Sequence, residues 1–189
     1  MSWELQSCYY EPVPSDFGTL SIIWQEVKGK PRVYRVFLPN ERTSKGDFLP
    51  RTFALVKRLS CPNIAELGRQ IQGFLKGGTT SFGLSMIALE ECSEFQRRVL
   101  LAEYRIPRSW VSTYGKIAQI LEVPGGARAV GRALSQNPFP IIIPCHRAIR
   151  SNGELGGFQG GLQMKRALLE LEGVEFSASG SVITNRIYY

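Results

Sequence analysis

The chain of 189 residues is poor in the groups that build metal sites and disulfide frameworks. It has one histidine, His146, and four scattered cysteines, Cys8, Cys61, Cys92 and Cys145, none in a Cys-x-x-Cys pair. One imidazole and no paired thiol spacing exclude a structural zinc site of the usual kind, and no cross-linked framework is suggested. Free thiols suit a reducing compartment. No apolar run approaches bilayer-spanning length, and the first residues lack a basic-then-apolar signal pattern. The expectation is an intracellular protein with no membrane partner, cytoplasmic in a prokaryote or nuclear in a eukaryote. Acidic residues are the minority charge: 23 Lys and Arg against 16 Asp and Glu give a formal net charge of +7. That favours a polyanionic partner without naming it. With 43% hydrophobic and 21% charged residues, the composition is that of a folded globular chain.

Any imidazole chemistry must take place at the lone histidine, and its neighbours are informative. The run Pro140-Ile141-Ile142-Ile143-Pro144-Cys145-His146-Arg147 reads as a buried β-branched strand, stopped by a proline, that delivers a thiol and an imidazole together. A neighbouring imidazole and guanidinium both favour the reactive thiolate. The same pair alone fits a cysteine hydrolase, or a buried small residue beside a surface imidazole.

In the first half, Thr19 to Glu26 and Arg32 to Leu38 form a hairpin signal across Val27-Lys28-Gly29-Lys30-Pro31. Trp24, Tyr34 and Phe37 read as sheet core. Asn63 caps a helix with Glu66 three residues on, and Ile64, Leu67, Ile71, Phe74 and Leu75 form its apolar face, ending at Lys76-Gly77-Gly78. No catalytic constellation is found there. A second unit starts near residue 90. Ser93-Glu94-Phe95-Gln96 is a capping box opening a helix striped by Phe95, Val99 and Ala102. Thr113 caps the next helix, with Ile117, Ile120 and Leu121 buried. Pro124-Gly125-Gly126 turns the chain, and Ala127 to Leu134 forms another helix with Val130, Ala133 and Leu134 inward. This is a helix-turn-helix. Its second helix, Ala127-Arg128-Ala129-Val130-Gly131-Arg132, is too poor in amide and hydroxyl side chains for a reader of base edges, which argues against a sequence-specific regulator. Its small residues instead permit close approach to a groove and its sugar-phosphate walls.

Beyond the cysteine, residues 151–161 are too glycine-rich for a regular element and read as a pocket-lining loop. Leu162 to Glu172 is a helix with Met164, Leu168 and Leu171 on one face and Gly173 at its end. The helix dipole disfavours a carboxylate in that last turn, so Glu172 needs a cationic or donating partner, and His146 would suit.

From about Ser93 to Val174 these motifs, with Pro-Cys-His-Arg behind an Ile-rich run, resemble the O6-alkylguanine-DNA alkyltransferases in content and order. The resemblance implies direct-reversal repair: an alkyl group passes from O6-alkylguanine, or O4-alkylthymine, in double-stranded DNA irreversibly to Cys145, once per molecule, without cofactor or metal. It implies a Cys-water-His-Glu relay through His146 and Glu172, with Tyr114 pressing on the phosphate backbone and contacting the extruded guanine. It further implies Arg128 as the side chain filling the gap left by a flipped base, with Ala127, Ala129, Gly131 and Arg132 along the minor groove. Asn137 would brace the link to the active-site strand, and Pro140, Ala148, Gly156, Phe158 and Gln159 would form the guanine pocket. Phe158, Gln159 and Ala148 depart from the tyrosine, serine and valine common in relatives, so tolerance of bulky groups stays open. An alkyltransferase-like binding module is the alternative, although such relatives lack the cysteine. The expected architecture is α+β in two domains: an α/β unit over 1–90 and a mainly helical, winged-helix-like unit over 91–175. A tail, 176–189, packs on the N-terminal domain or is disordered, and the protein is expected to be monomeric.

Overall fold

The computed structural model describes residues 7–39, 53 and 56–189. They form an α+β fold with five α-helices among the described residues, none long and apolar enough to cross a membrane. Two compact units emerge: Met1–Cys92 with Pro138–Ile142, and Ser93–Asn137 with Ile143–Tyr189.

In the first unit β1 (Tyr9–Val13), β2 (Leu20–Val27), β3 (Lys30–Phe37) and β4 (Lys57–Arg58) form a sheet in the order β3-β2-β1-β4. β1 to β3 are antiparallel, and β4 runs parallel to β1. The hairpin turn is Lys28-Gly29, with φ of +52° and +74°, the left-handed pair that matches strand twist. Trp24 lies in the core, and its indole N–H donates to the Leu59 carbonyl at 3.0 Å. Helix α1 (Pro62–Leu75) buries the expected stripe, but it starts earlier than Asn63 suggests. Cys61 occupies the N-cap without a side-chain bond and Pro62 takes the first turn, where a missing N–H costs nothing.

The Ile-rich run corrects the sequence reading. Ile141-Ile142 is a turn, not a strand, and Ile141 sits at φ +73°. The prolines at 140 and 144 remove the amides a ladder would use. The Val36 N–H instead donates to the Pro138 carbonyl at 2.8 Å.

The second unit opens with α2 (Glu94–Tyr104). Ser93 Oγ accepts from the Gln96 amide, but the Gln96 side chain does not return to Ser93. It donates instead to the carbonyls of Ala133 and Gln136. The short β5 (Ser112–Thr113) leads into α3 (Tyr114–Ile120), capped by Thr113, and a turn leads to α4 (Ala127–Ser135) with Val130, Ala133 and Leu134 buried. Ile120 is 41% exposed rather than buried, because α3 ends there while Ile117 and Ala118 face inward. A 3-10 turn, Cys145–Arg147, precedes β6 (Ala148–Ile149), which pairs in parallel with β5. Helix α5 (Gly161–Leu171) buries Met164, Lys165, Leu168 and Leu169 and leaves Leu171 38% exposed, so its inner face is turned from the expected one. After α5, β7 (Glu175–Phe176) and β8 (Val182–Ile183) form a hairpin. The tail, expected on the N-terminal domain or disordered, instead belongs to the second unit and returns beside β5: the Val111 N–H donates to the Arg186 carbonyl and the Tyr188 N–H to the Val111 carbonyl, while Ser112 Oγ donates to the Tyr188 carbonyl.

Candidate active site

Cys145 is the floor of a cleft of about 360 Å³ in the second unit. One wall is the start and outer face of α4 with Tyr114 at the head of α3; the other is the loop Gly156-Gly157-Phe158. Arg128 is exposed on the α4 wall, and Ala127 and Gly131 line it half-buried, while Ala129 and Arg132 are exposed on α4 outside the cleft. Gly156 has φ +68°, and a Cβ there would stand 2.5 Å from the Tyr114 hydroxyl. Only glycine lets this loop lie against the phenol.

The thiol is 5% exposed, and burial pushes it up to about 12, against the pull of a hydrogen bond with the Asn137 side chain. The Asn137 amide also donates to the Ile143 carbonyl at 3.1 Å, holding the end of the Ile turn. Sequence adjacency misled about the thiol's electrostatics. Arg147 is directed elsewhere: its Nε and Nη2 donate to Glu172 at 2.9 and 2.7 Å, and Nη1 donates to the Ile106 carbonyl at 2.6 Å. His146 Nε2 lies 3.0 Å from Glu172 Oε1. Consecutive residues of a 3-10 turn point about a third of a turn apart, so a thiol and its neighbours diverge.

Glu172 caps the C-terminus of α5, where the helix dipole opposes it. Burial works to raise its carboxyl, but the hydrogen bonds and charges of His146 and Arg147 outweigh it and hold the group at about 2. Burial keeps the His146 imidazole below its ordinary range, with Glu172 opposing and the Arg147 and Lys165 cations assisting. At neutral pH the pair is thus a neutral imidazole on an ionised carboxylate.

Two charged groups absent from the sequence reading are buried in the same unit. Lys165 is fully buried, and its ammonium donates to the Ala148 carbonyl at 2.6 Å, to the Leu155 carbonyl and to the Gly157 carbonyl at 3.3 Å. It lies 5.9 Å from the centre of the Tyr114 ring. Glu103 on α2 is also fully buried, and neither carboxyl oxygen makes a complete hydrogen bond, although the Ala148 amide lies near enough to favour its charged form. A signal existed for both. Glu103 follows Val99 by one turn and Lys165 precedes Leu169 by one turn, so each puts a charge on an apolar stripe.

Three expected pocket residues do not line the cleft. Ala148 is buried with its carbonyl taken by Lys165. Gln159 spends its amide on the Asn137 carbonyl at 2.6 Å and the Ser135 carbonyl at 3.3 Å. Pro140 belongs to the segment that groups with the first unit.

The cleft thus sets a buried thiol beside the α3–turn–α4 pair. A family model described as the 6-O-methylguanine DNA methyltransferase DNA-binding domain matches residues 94–174. The methylated-DNA–protein-cysteine methyltransferase of Methanothermobacter thermautotrophicus is 47% identical over 111 residues, 59% of this chain and 62% of that protein. A match in Mycobacterium leprae likewise spans 64% of its relative's length, so the chain covers under two thirds of these relatives. The Methanosarcina mazei protein of the same name is 33% identical over 164 residues, covering 87% of this chain and 96% of that one. The crystal structure of Mycobacterium tuberculosis OGT in complex with DNA superposes with a TM-score of 0.68 at 31% identity, covering 87% of this chain and 92% of that one. The chain belongs to the methylated-DNA–protein-cysteine methyltransferase family.

Proposed function

We propose that this protein repairs alkylated guanine in double-stranded DNA by direct reversal, taking the alkyl group onto Cys145 once per molecule. The observation that carries the reading is the shared cleft: the thiol forms the floor of a cavity whose rim carries Tyr114 and the exposed Arg128 of α4. A thiol 5% exposed cannot reach an atom inside a duplex, so the base must be extruded. The few kcal/mol that extrusion costs must be offset by a wedge and a pocket. Arg128 is the wedge in this reading, with Ala127, Ala129, Gly131 and Arg132 on the groove. Tyr114 meets the extruded base, opposite Gly156 and Phe158. The unit carrying them acts as a winged-helix-like DNA-binding domain, separate from the N-terminal domain, and the protein works as a monomer.

In the reaction the sulfur attacks the alkyl carbon in line, the carbon–oxygen bond breaks, and its electron pair passes into the purine. The resting thiol is protonated, so its proton must leave first. His146, with Nε2 on Glu172, receives it through Nδ1 and one water, and the ionised Glu172 stabilises the resulting imidazolium. Asn137 holds the thiol in place meanwhile. The product is a thioether, and no residue of the site activates water against a carbon–sulfur bond, so each molecule acts once.

The test is peptide mass spectrometry after incubation with duplex DNA carrying one O6-methylguanine, with a Cys145→Ser control. The expected result is a single methyl on the Cys145 peptide, saturating at one per molecule. Tight binding to the lesion without methyl gain would overturn the transfer reading in favour of a binding module.

A further inference from the structure

Among the described residues the charged side chains that line the cleft are two guanidiniums, Arg128 from α4 and Arg150, which directly follows β6; no carboxylate lines it. Arg128 has its place in the repair reading as the wedge. Arg150 has none. It opens a tight three-residue hairpin, Ser151-Asn152-Gly153, in which the Arg150 N–H donates to the Glu154 carbonyl at 2.8 Å and the Gly153 N–H donates to the Arg150 carbonyl at 3.0 Å. Gly153 sits at φ +84°, the left-handed residue that closes such a loop. The Glu154 N–H donates to the Asn152 side chain at 3.2 Å, and the Val182 N–H donates to the Gly153 carbonyl at 2.9 Å, which ties the hairpin to β8. The backbone under Arg150 is therefore held in place. Its guanidinium meets the Glu154 carboxylate across the hairpin, and the two side chains are 60% and 51% exposed.

Resting on the repair reading of the cleft, we propose that Arg150 is a further DNA-binding residue, which grips a phosphate beside the extruded nucleotide, and that Glu154 is the anion it leaves to do so. An extruded base that reaches Cys145 brings the phosphates on either side of it to the mouth of the cleft. With Arg128 in the stack, Arg150 is the lining cation left to meet them. A guanidinium offers a planar fork of donors that matches phosphate oxygens, and such charge-assisted bonds are among the strong ones. The pair with Glu154 is the weaker competitor, because ion pairs open to solvent add little. The hydrogen bond from Arg150, then that of Asn152, holds the Glu154 carboxyl below its usual range, so at neutral pH it is an anion. Once released it stands beside the phosphate as a like charge, and it therefore lowers affinity for DNA while keeping the guanidinium aimed when DNA is absent.

The experiment measures fluorescence anisotropy of a duplex carrying one O6-methylguanine from about 50 to about 200 mM salt. It uses the whole chain with Cys145→Ser, which removes the acceptor sulfur, as the parent and as R150Q, R150K and E154Q. R150Q is expected to bind about three- to tenfold more weakly at low salt, alike for different flanking sequences, and to reduce the slope of log affinity against log salt by about one. R150K keeps the charge and should keep the slope. E154Q should bind about two- to threefold more tightly, having lost a like charge beside the phosphate. A pair that only braced the hairpin would make R150Q and E154Q change binding in the same direction. Iodoacetamide alkylation of the Cys145 peptide, read by mass spectrometry in chains that keep the thiol, needs no DNA and should run at the same rate in wild type, R150Q and E154Q. An R150Q slope that superimposes on its parent, changes of the same sign in R150Q and E154Q, or an iodoacetamide rate altered by R150Q would overturn the proposal. A parent whose affinity for the lesion duplex ignores salt would sink the DNA reading of the cleft as well, whereas a steep parent slope unmoved by R150Q sinks the role of Arg150 alone.

Discussion

Replacing Glu172 by glutamine tests the frame on which the imidazole hangs. The carboxylate accepts from His146 Nε2 at 3.0 Å and from two Arg147 nitrogens at 2.9 and 2.7 Å, with only 3% of the residue exposed. Removing one side of a buried ion pair strands the other, which typically costs about 3–5 kcal/mol. The pH dependence separates that effect from general damage. The Glu172 carboxyl is held at about 2 when folded, against 4.5 when free. A group depressed on folding stabilises fully above its unfolded value and loses that contribution as pH falls through its folded one. Here the amount is about 3 kcal/mol. The glutamine variant has no such group to titrate. Urea unfolding from about pH 7 to about pH 3 should show a gap of about 4 kcal/mol, or about 2 M in midpoint, shrinking by about 2 kcal/mol at the acid end. A gap that stays constant with pH, or no gap at neutral pH, would refute the account of Glu172 as an ionised anchor. The same variant should slow transfer to Cys145.

Other substitutions probe the cleft with the methyl-transfer assay. Gly156→Ala places a methyl 2.5 Å from the Tyr114 hydroxyl at φ +68°, where the left-handed backbone alone costs about 1–2 kcal/mol. Lower stability and slower transfer are expected, and a variant matching wild type in both would count against the close packing. Arg128→Ala should slow transfer from duplex DNA about ten- to a hundredfold, the kinetic equivalent of losing about 1–3 kcal/mol of support for extrusion. Its iodoacetamide rate at Cys145 should stay unchanged, and equal slowing in both assays would remove Arg128 from the wedge role. Methylated protein should melt about 5 °C below unmodified protein, because a methyl added at a thiol 5% exposed overpacks the site. An unchanged or raised melting temperature would contradict this.

Local rules and tertiary structure divide what could be read in the chain. The Lys28-Gly29 hairpin, the turn at Gly125 and the helices around them depend on residues near in sequence, and they were legible from turn chemistry and apolar spacing. Shortfalls begin where one local signal met a stronger one. The β-branched run at 141–143 signals a strand, but two prolines deny it a ladder; Asn63 signals a cap, but Pro62 is already helical. The Leu171 and Ile120 errors are a residue's rotation at helix ends, where periodicity is weakest. At the site, the joining of Glu172 to His146 followed from an anion needing a partner at a helix C-terminus. That Arg147 turns to the same carboxylate, and that Glu103 and Lys165 are buried, depends on how α2, α5 and the 3-10 turn meet. No spacing within one segment encodes that.

The two-rung pairing of β5 with β6 joins Ser112 to Ala148 and Thr113 to Ile149. Tyr114 follows the first strand immediately, and Cys145 stands three residues before the second. The backbones that carry the phenol and the sulfur are thereby held in register by main-chain bonds close to both. Misplacement of reacting groups by about 1 Å can cost a hundredfold in rate. A slip of one residue in this pairing would shift the backbone under Tyr114 against the turn that carries Cys145, so two main-chain rungs act as the alignment pin of the cleft.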